Sequence, residues 1–136
     1  MEYLEILKKD LIRDEGIKLK PYRCTAGKLT IGVGRNLYAV GISEKEALDM
    51  LQTDIVRVYD ALTKSLAFFP NLSQNQQRAL VNMGFNLGVP GLLKFKKMLA
   101  ELSRGNGEGA AKEALDSKWA GQVGDRATRV AELLRN

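Results

Sequence analysis

The sequence predicts a mostly helical α+β fold, with a small β-containing lobe and a helical lobe joined by a long helix. Two observations indicate this: apolar residues at helical spacing follow a helix start signal at residue 43, and strand-forming residues are confined to residues 18–34. A chain of 136 residues has the length of one domain and can bury a core without disulfides. We therefore expect a single domain, residues 1–136, with a ligand cleft between its lobes.

The first two predicted elements are a short amphipathic helix and a β-hairpin or meander. The helix spans residues 2–14, because its leucines recur at three- and four-residue spacing and Gly16 follows as a stop signal. The β segment spans residues 18–34, where the glycine-containing turn CTAGK lies between strand-forming residues. The leucines of the helix are Leu4, Leu7 and Leu11.

The long helix is predicted to begin at a capping box formed by Ser43 and Glu46. Apolar residues at spacings of three and four continue the helix over residues 43–67. These residues are Leu48, Leu51, Ile55, Val58 and Leu62.

Shorter helices are predicted for the rest of the chain. Ser73 and Gln76 form a second capping box, and the helix that they start ends at the breakers Gly88 and Pro90. Glycine-rich turns, RGNG and WAGQVG, separate the helices that follow. Those helices are expected at residues 92–102, 108–118 and 125–134.

The order of these elements defines the predicted lobes. Residues 14–42 form the β-containing lobe, and residues 43–67 form the connecting helix. Residues 68–136, together with residues 1–13, form the helical lobe. The chain has no internal repeat and no low-complexity linker.

The composition excludes several kinds of chemistry. The chain has no histidine and one cysteine, which excludes a His-based triad, the usual zinc sites and an intrachain disulfide. We therefore expect no metal site, and a catalytic acid or base has to be Asp, Glu, Lys, Tyr or Cys24. Charged side chains interrupt residues 1–16 every few positions, so we expect neither a signal peptide nor a membrane span there.

The formal charge of +5 lies in the second part of the chain. Residues 1–55 hold nine basic and nine acidic residues, whereas residues 56–136 hold twelve and seven. A basic surface suits an anionic partner such as nucleic acid, anionic lipid or a wall polymer. It equally suits a solvated surface that has no partner.

Four side chains near the β segment have reactive potential: Asp14, Glu15, Cys24 and Thr30. A carboxyl group at a helix end can face a cleft and donate a proton, although spacing alone favours a solvated helix terminus for Asp14 and Glu15. Cys24 alone is more often a small packing residue than a nucleophile. The glycines of TIGVGR allow a close approach of the backbone, but the Gly-Lys-Ser/Thr ending of a phosphate loop is absent.

The phage lysozyme family has a Glu, an Asp or Cys, and a Thr at fixed intervals, and Glu15, Cys24 and Thr30 resemble that triplet. Eight residues separate the first pair and five the second. Three further segments resemble the family in the same order: TIGVGR, RALVNMGFNLG and WAGQVGDRATR. The resemblance covers nearly the whole chain and implies a lysozyme-like fold.

The resemblance implies cleavage of the β-1,4 bond between N-acetylmuramic acid and N-acetylglucosamine in peptidoglycan, without metal or organic cofactor. Glu15 would be the general acid, and Thr30 would help to hold the attacking water. Cys24 would occupy the second catalytic position, and we hypothesise that it acts on the water side without a covalent bond. The alternative is direct attack of the thiol on the ring carbon, with a covalent intermediate and retention of configuration. To act as a thiolate it would need a lowered pKa, for which Arg23 and Lys28 are the expected neighbouring cations.

The resemblance also implies substrate contacts by the helical lobe. Asn82, Phe85 and Asn86 would contact the saccharide, and Arg126 would reach Glu15. One position departs from the pattern: Arg35 stands where the T-even enzymes often have His, so an ion pair built on that His would take another form here.

The partner that the resemblance implies is peptidoglycan, bound by a monomer with no nucleic acid and no stable membrane insertion. A free endolysin would stay in the host cytoplasm until a membrane pore, a holin, opens access to the wall in the periplasm. The alternative from another class is a non-catalytic module that binds wall glycan or another polyanion through the basic helical segment. Nucleic acid fits less well, because no aromatic platform accompanies the lysines.

Overall fold

The computed structural model describes residues 1–136 and confirms the mostly helical α+β fold. Nine α-helices accompany one three-stranded antiparallel sheet. The chain forms two compact units, residues 1–49 and residues 50–136. The grouping of residues 1–13 with residues 68–136 in one lobe stays a prediction. No helix combines the length and the apolarity that crossing a membrane requires.

The first unit holds the predicted amino-terminal helix and the sheet. Helix α1 (Leu4–Glu15) ends where Gly16 adopts a φ of +75° and donates its N–H to the carbonyl oxygen of Ile12. Strand β2 (Leu29–Gly32) is central in the sheet, so that Thr30 pairs with Tyr22 on one side and with Asn36 on the other. The elements are α1 (Leu4–Glu15), β1 (Lys18–Arg23), β2 (Leu29–Gly32), β3 (Arg35–Asn36) and α2 (Leu37–Val40).

Two details of this unit were not predicted. Helix α2 forms because Asn36 caps it, with its side-chain oxygen accepting the N–H of Ala39 at 2.9 Å. The pairing of β1 with β2 shifts register between Lys18 and Tyr22, a stretch that contains Pro21, which has no N–H to give to the ladder.

The long helix is confirmed as α3, Glu44–Ser65. Both hydrogen bonds of its capping box form: the N–H of Ser43 donates to Glu46 Oε1 at 2.8 Å, and the N–H of Glu46 donates to Ser43 Oγ at 3.1 Å. The capping box predicted from Ser43 and Glu46 therefore determines where this helix begins.

The helices that follow agree with prediction in part. The capping box of Ser73 and Gln76 is confirmed, but WAGQVG is helical rather than a turn, because Ser117 caps it and Trp119 is buried in it. The helix expected at residues 92–102 begins later, at Lys96, because the chain turns at residues 93–95 after a short helix that ends at Leu92. A 3₁₀ turn, Phe69–Asn71, precedes α4 (Gln74–Leu87), α5 (Val89–Leu92), α6 (Lys96–Ser103), α7 (Gly107–Leu115), α8 (Lys118–Val123) and α9 (Asp125–Arg135).

The buried apolar core lies within the second unit, between Val58 and Leu134. Its largest fully enclosed side chains include Phe69, Leu62, Leu80, Met83, Leu92 and Met98. In the first unit Thr30 is the buried residue, with 4% of its surface exposed. The candidate catalytic hydroxyl, that of Thr30, therefore belongs to a buried residue on the central strand of the sheet.

Candidate active site

The carboxyl group of Glu15 lies against the glycine turn between β2 and β3. A Cβ added to Gly34 would stand 2.8 Å from Glu15 Oε2 and 3.2 Å from its Cδ. Gly34 also has a φ of +66°, a backbone conformation that favours glycine. The close approach expected at the glycines of TIGVGR therefore occurs at Gly34, whereas nothing lies within 4 Å of a Cβ added to Gly32.

Cys24 begins the turn that joins β1 to β2. Its N–H donates to the carbonyl oxygen of Lys28 at 2.9 Å, and its own carbonyl oxygen accepts the N–H of Gly27 at 2.8 Å. Gly27 closes the turn with a φ of +77°. This conformation directs the backbone N–H groups of Lys28 and Ala26 at the thiol.

The pKa of the Cys24 thiol is lowered from its ordinary value. The main cause is the hydrogen bond from the backbone of Lys28, followed by that from the backbone of Ala26, and partial burial opposes them. The side-chain charges of Arg23 and Lys28, which were the expected cause, do not contribute. The turn stabilises the thiolate through peptide dipoles instead.

Thr30 and Cys24 meet at the backbone of Lys28. The Thr30 hydroxyl donates to the carbonyl oxygen of Lys28 at 2.8 Å, the same oxygen that accepts the N–H of Cys24. A hydroxyl has one hydrogen, so in this arrangement Thr30 Oγ1 can only accept a further hydrogen bond. A water beside it would have to donate to Thr30, and a thiolate at Cys24 would accept that water's second hydrogen.

Arg35, in strand β3, forms an ion pair with Glu46. Its Nη1 lies 2.7 Å from Glu46 Oε1 and 3.3 Å from the carbonyl oxygen of Gly41. The hydrogen bond from Arg35, with that from the backbone of Ser43, lowers the pKa of Glu46 to about 2. Arg35 therefore ties the sheet to the capping box that begins α3.

In the second unit, three of the four predicted substrate-binding residues line one pocket. Asn82, Phe85 and Arg126 border a pocket of about 570 Å³. The other lining residues were not predicted to belong to a site, although Leu51, Ile55 and Tyr59 recur every four residues along one face of α3. The others are Gln74, Gln77, Arg78 and Val81.

The polar groups of these residues already have protein partners. Arg126 Nε donates to Asn82 Oδ1 at 2.8 Å, and Asn86 Oδ1 accepts the indole N–H of Trp119 at 2.9 Å. Both asparagines keep their amide N–H groups as donors. The pairing of Arg126 with Glu15 stays a prediction.

Comparison with known proteins identifies the family of the chain. The family model described as phage lysozyme matches residues 13–135. The chain is 36% identical to the endolysin of Salmonella phage P22 over 85% of the chain and 82% of that protein. It is 32% identical to the endolysin of Acyrthosiphon pisum secondary endosymbiont phage 1, over 97% and 92%. It is also 30% identical, over 91% of its length, to the pre-baseplate central spike protein Gp5 of Enterobacteria phage T4, of which it spans 26%.

Proposed function

The chain belongs to the phage lysozyme family and is a lysozyme-type glycosidase, and from this premise we propose that it cleaves the β-1,4 bond between N-acetylmuramic acid and N-acetylglucosamine in peptidoglycan. One observation supports the proposal above all. The matched segment contains Glu15, Cys24 and Thr30, and the last two converge on the backbone of Lys28. Cleavage of this bond would lyse the bacterial wall.

Glu15 supplies the proton in the proposed reaction. As the glycosidic C–O bond breaks, its electron pair goes to the leaving oxygen, which takes the proton of the Glu15 carboxyl group. Positive charge develops on the sugar ring at the same time. The carboxyl group lies against Gly34, which restricts its position. It can therefore give its proton only to an oxygen placed close to that position.

Cys24 and Thr30 act on the attacking water. The water donates one hydrogen bond to Thr30 Oγ1 and one to the Cys24 thiolate, which turns a lone pair of its oxygen towards the anomeric carbon. A bond forms between that oxygen and the carbon, and the thiolate takes the released proton. Glu15 ends as carboxylate and Cys24 as thiol, and exchange of protons with solvent restores both. Attack by water from the face opposite the leaving group inverts the configuration.

Residues of the second unit are proposed to hold the glycan. Asn82 and Asn86 would donate their free amide hydrogens to N-acetyl or hydroxyl oxygens, with Phe85 and Arg126 beside them. We further propose that the chain acts as a monomer without stable membrane insertion, and that as an endolysin it reaches the wall from the host cytoplasm through a separate pore, a holin.

The experiment that tests the proposal is incubation of the purified chain with peptidoglycan sacculi, followed by turbidity and by release of new reducing ends. Falling turbidity with new reducing ends is the expected result. Protein that sediments with intact sacculi and releases no reducing ends would identify a non-catalytic wall-binding module instead.

A further inference from the structure

Strand β3 is the shortest strand of the sheet and directly follows the turn that contains Gly34. It consists of Arg35 and Asn36, and its backbone pairs with β2 at two positions. Strands are more often about five to six residues long. So short a strand needs side-chain contacts to keep a fixed position, and so does the turn before it, which contacts the Glu15 carboxyl group.

The Arg35 side chain provides such contacts. Its Nη1 donates to Glu46 Oε1 at 2.7 Å and to the carbonyl oxygen of Gly41 at 3.3 Å. Glu46 Oε1 also accepts the N–H of Ser43 at 2.8 Å. Arg35 and Glu46 lie eleven positions apart in the chain, so one carboxylate oxygen joins the sheet to the first turn of α3.

The ion pair is partly exposed to water. The side chain of Arg35 keeps 36% of its surface exposed, and that of Glu46 keeps 42%. A pair this exposed adds little to the stability of the fold, so its loss should leave the chain folded. The two charges neutralise each other, and Arg35 therefore acts as a link between two elements rather than as an unpaired cation.

Arg35 directly follows the residue at which the sheet contacts the proposed acid. A Cβ built on Gly34 would lie 2.8 Å from Glu15 Oε2 and 3.4 Å from Glu15 Cγ, so the turn lies along the end of this side chain. Movement of the turn would change that contact. A catalytic group misplaced by about 1 Å can lower a reaction rate about a hundredfold.

We propose that Arg35 and Glu46 are positioning residues for the reaction: their ion pair fixes the turn at Gly34, and the turn fixes the Glu15 carboxyl group. Neither residue touches the substrate or the reacting atoms in this role. The inference rests on the proposed function and deepens it, because it names the contacts that keep the acid in place.

The first test measures kcat and KM of the variants on soluble peptidoglycan fragments. Arg35→Ala should lower kcat about tenfold to thirtyfold and leave KM unchanged, because the acid acts in bond cleavage rather than in binding. Glu46→Gln keeps an oxygen for the N–H of Ser43 and should lower kcat about threefold to tenfold. Arg35→Lys should keep most of the kcat, since a single nitrogen of Arg35 makes both contacts.

The matched control is Lys45→Ala. It removes a cation and its 2.8 Å ion pair with Asp49 from the start of α3, but this pair lies within one helix. The kcat of this variant should stay at the parental value. An equal fall in Lys45→Ala, or a parental kcat in folded Arg35→Ala or Glu46→Gln, would overturn the proposal.

A double-mutant cycle with Gly34→Ala determines whether Arg35 acts through the turn. Gly34→Ala already displaces the acid, so the addition of Arg35→Ala should lower kcat by less than about twofold more. A further loss as large as that in the parent would mean that Arg35 acts by another route, and this would overturn the proposal.

An NMR measurement separates failure of this inference from failure of the proposed function. Nuclear Overhauser effects between the Hα atoms of Gly34 and the Hγ atoms of Glu15 report the contact and need no hydrolysis. They should be present in the parent and in Lys45→Ala, and weakened in Arg35→Ala. This pattern in a parent that cleaves no glycan would contradict the proposed function while supporting the link from Arg35 to Glu15. Effects of parental intensity in Arg35→Ala would overturn the inference.

Discussion

The Glu15 carboxyl group occupies the space where a side chain at Gly34 would begin, 2.8 Å from the position of that Cβ. Gly34→Ala would therefore displace the proposed acid and also place alanine at a φ of +66°. We expect the hydrolysis rate to fall about a hundredfold, the scale of a misplaced catalytic group. The folded state should lose about 1–2 kcal/mol from the left-handed backbone. Wall lysis and urea unfolding measure the two effects.

Gly32→Ala is the matched control for this change. Gly32 has a φ of +69°, yet an added Cβ would meet nothing within 4 Å. It should lose the same stability and keep most of its activity. Equal loss of activity in both variants would show that the hydrolysis rate depends on the conformation of the turn rather than on the position of Glu15.

The thiolate of Cys24 can be tested by changing its acid–base properties. Cys24→Asp should stay active, because a carboxylate accepts the hydrogen of the water in the same way, whereas Cys24→Ala should lose about a hundredfold while folding normally. A thiol ordinarily ionises at a higher pH than a carboxylate, and the turn lowers the pKa of Cys24, so the rate of the parent should rise with pH below the ordinary pKa of a thiol, where the rate of Cys24→Asp is already flat. A pH profile of kcat/KM checks this. An Ala variant as active as the parent would make Cys24 a packing residue.

The ion pair of Arg35 with Glu46 predicts a pH dependence of stability. Folding lowers the pKa of Glu46 from 4.5 to about 2, so the pair stabilises the fold above about pH 4.5, and this contribution is lost as the pH falls towards 2. Glu46→Gln should therefore melt below the parent at pH 7, and the difference should shrink as the pH is lowered through this window. Calorimetry between pH 2 and 7 measures it, with Glu44→Gln, a neighbouring carboxylate in no ion pair, as control. A difference that is independent of pH would contradict the assignment.

Two helical glycines should respond to alanine in opposite directions. A Cβ on Gly107, at the start of α7, would collide with the backbone carbonyl oxygen of Leu134 and lie 3.1 Å from Gln76 Nε2, so Gly107→Ala should cost about 1–3 kcal/mol. Gly121, in α8, has nothing within 4 Å, so Gly121→Ala should stabilise by about 0.5–1 kcal/mol through helix propensity. Urea denaturation of both variants measures these changes in the free energy of unfolding. A Gly107→Ala variant as stable as the parent would contradict the close packing of α7 on the end of α9.

The parts of the fold that the sequence predicts are those with local causes. The capping boxes at Ser43 and Ser73 each need two residues three apart, and both form as predicted. Helix α8 was not predicted, because Gly121 within it and Gly124 directly after it resemble a turn. The cap at Ser117 and the burial of Trp119 outweigh the low helix propensity of Gly121.

The parts of the site that the sequence does not predict depend on the three-dimensional course of the chain. The spacing of Cys24 and Thr30 suggests a shared role, but the lowered pKa of Cys24 comes from amide directions that only the turn defines. The partner of Asn86 is Trp119, which lies 33 residues away. The contact of Glu15 with Gly34 likewise joins the end of a helix to a turn of the sheet, and no local pattern encodes it.

The most direct test of the account is the identity of the products that the parent chain and Glu15→Gln release from purified peptidoglycan. Glutamine keeps the shape of the side chain but has no proton to donate. Mass spectrometry of the reduced fragments, with proton NMR of the first anomer formed, should show N-acetylmuramic acid at the new reducing end and the α-anomer first for the parent. The folded Glu15→Gln variant should release almost no product. Fragments ending in N-acetylglucosamine, or release by Glu15→Gln at the parental rate, would contradict the account, and a β-anomer formed first would make Cys24 a nucleophile.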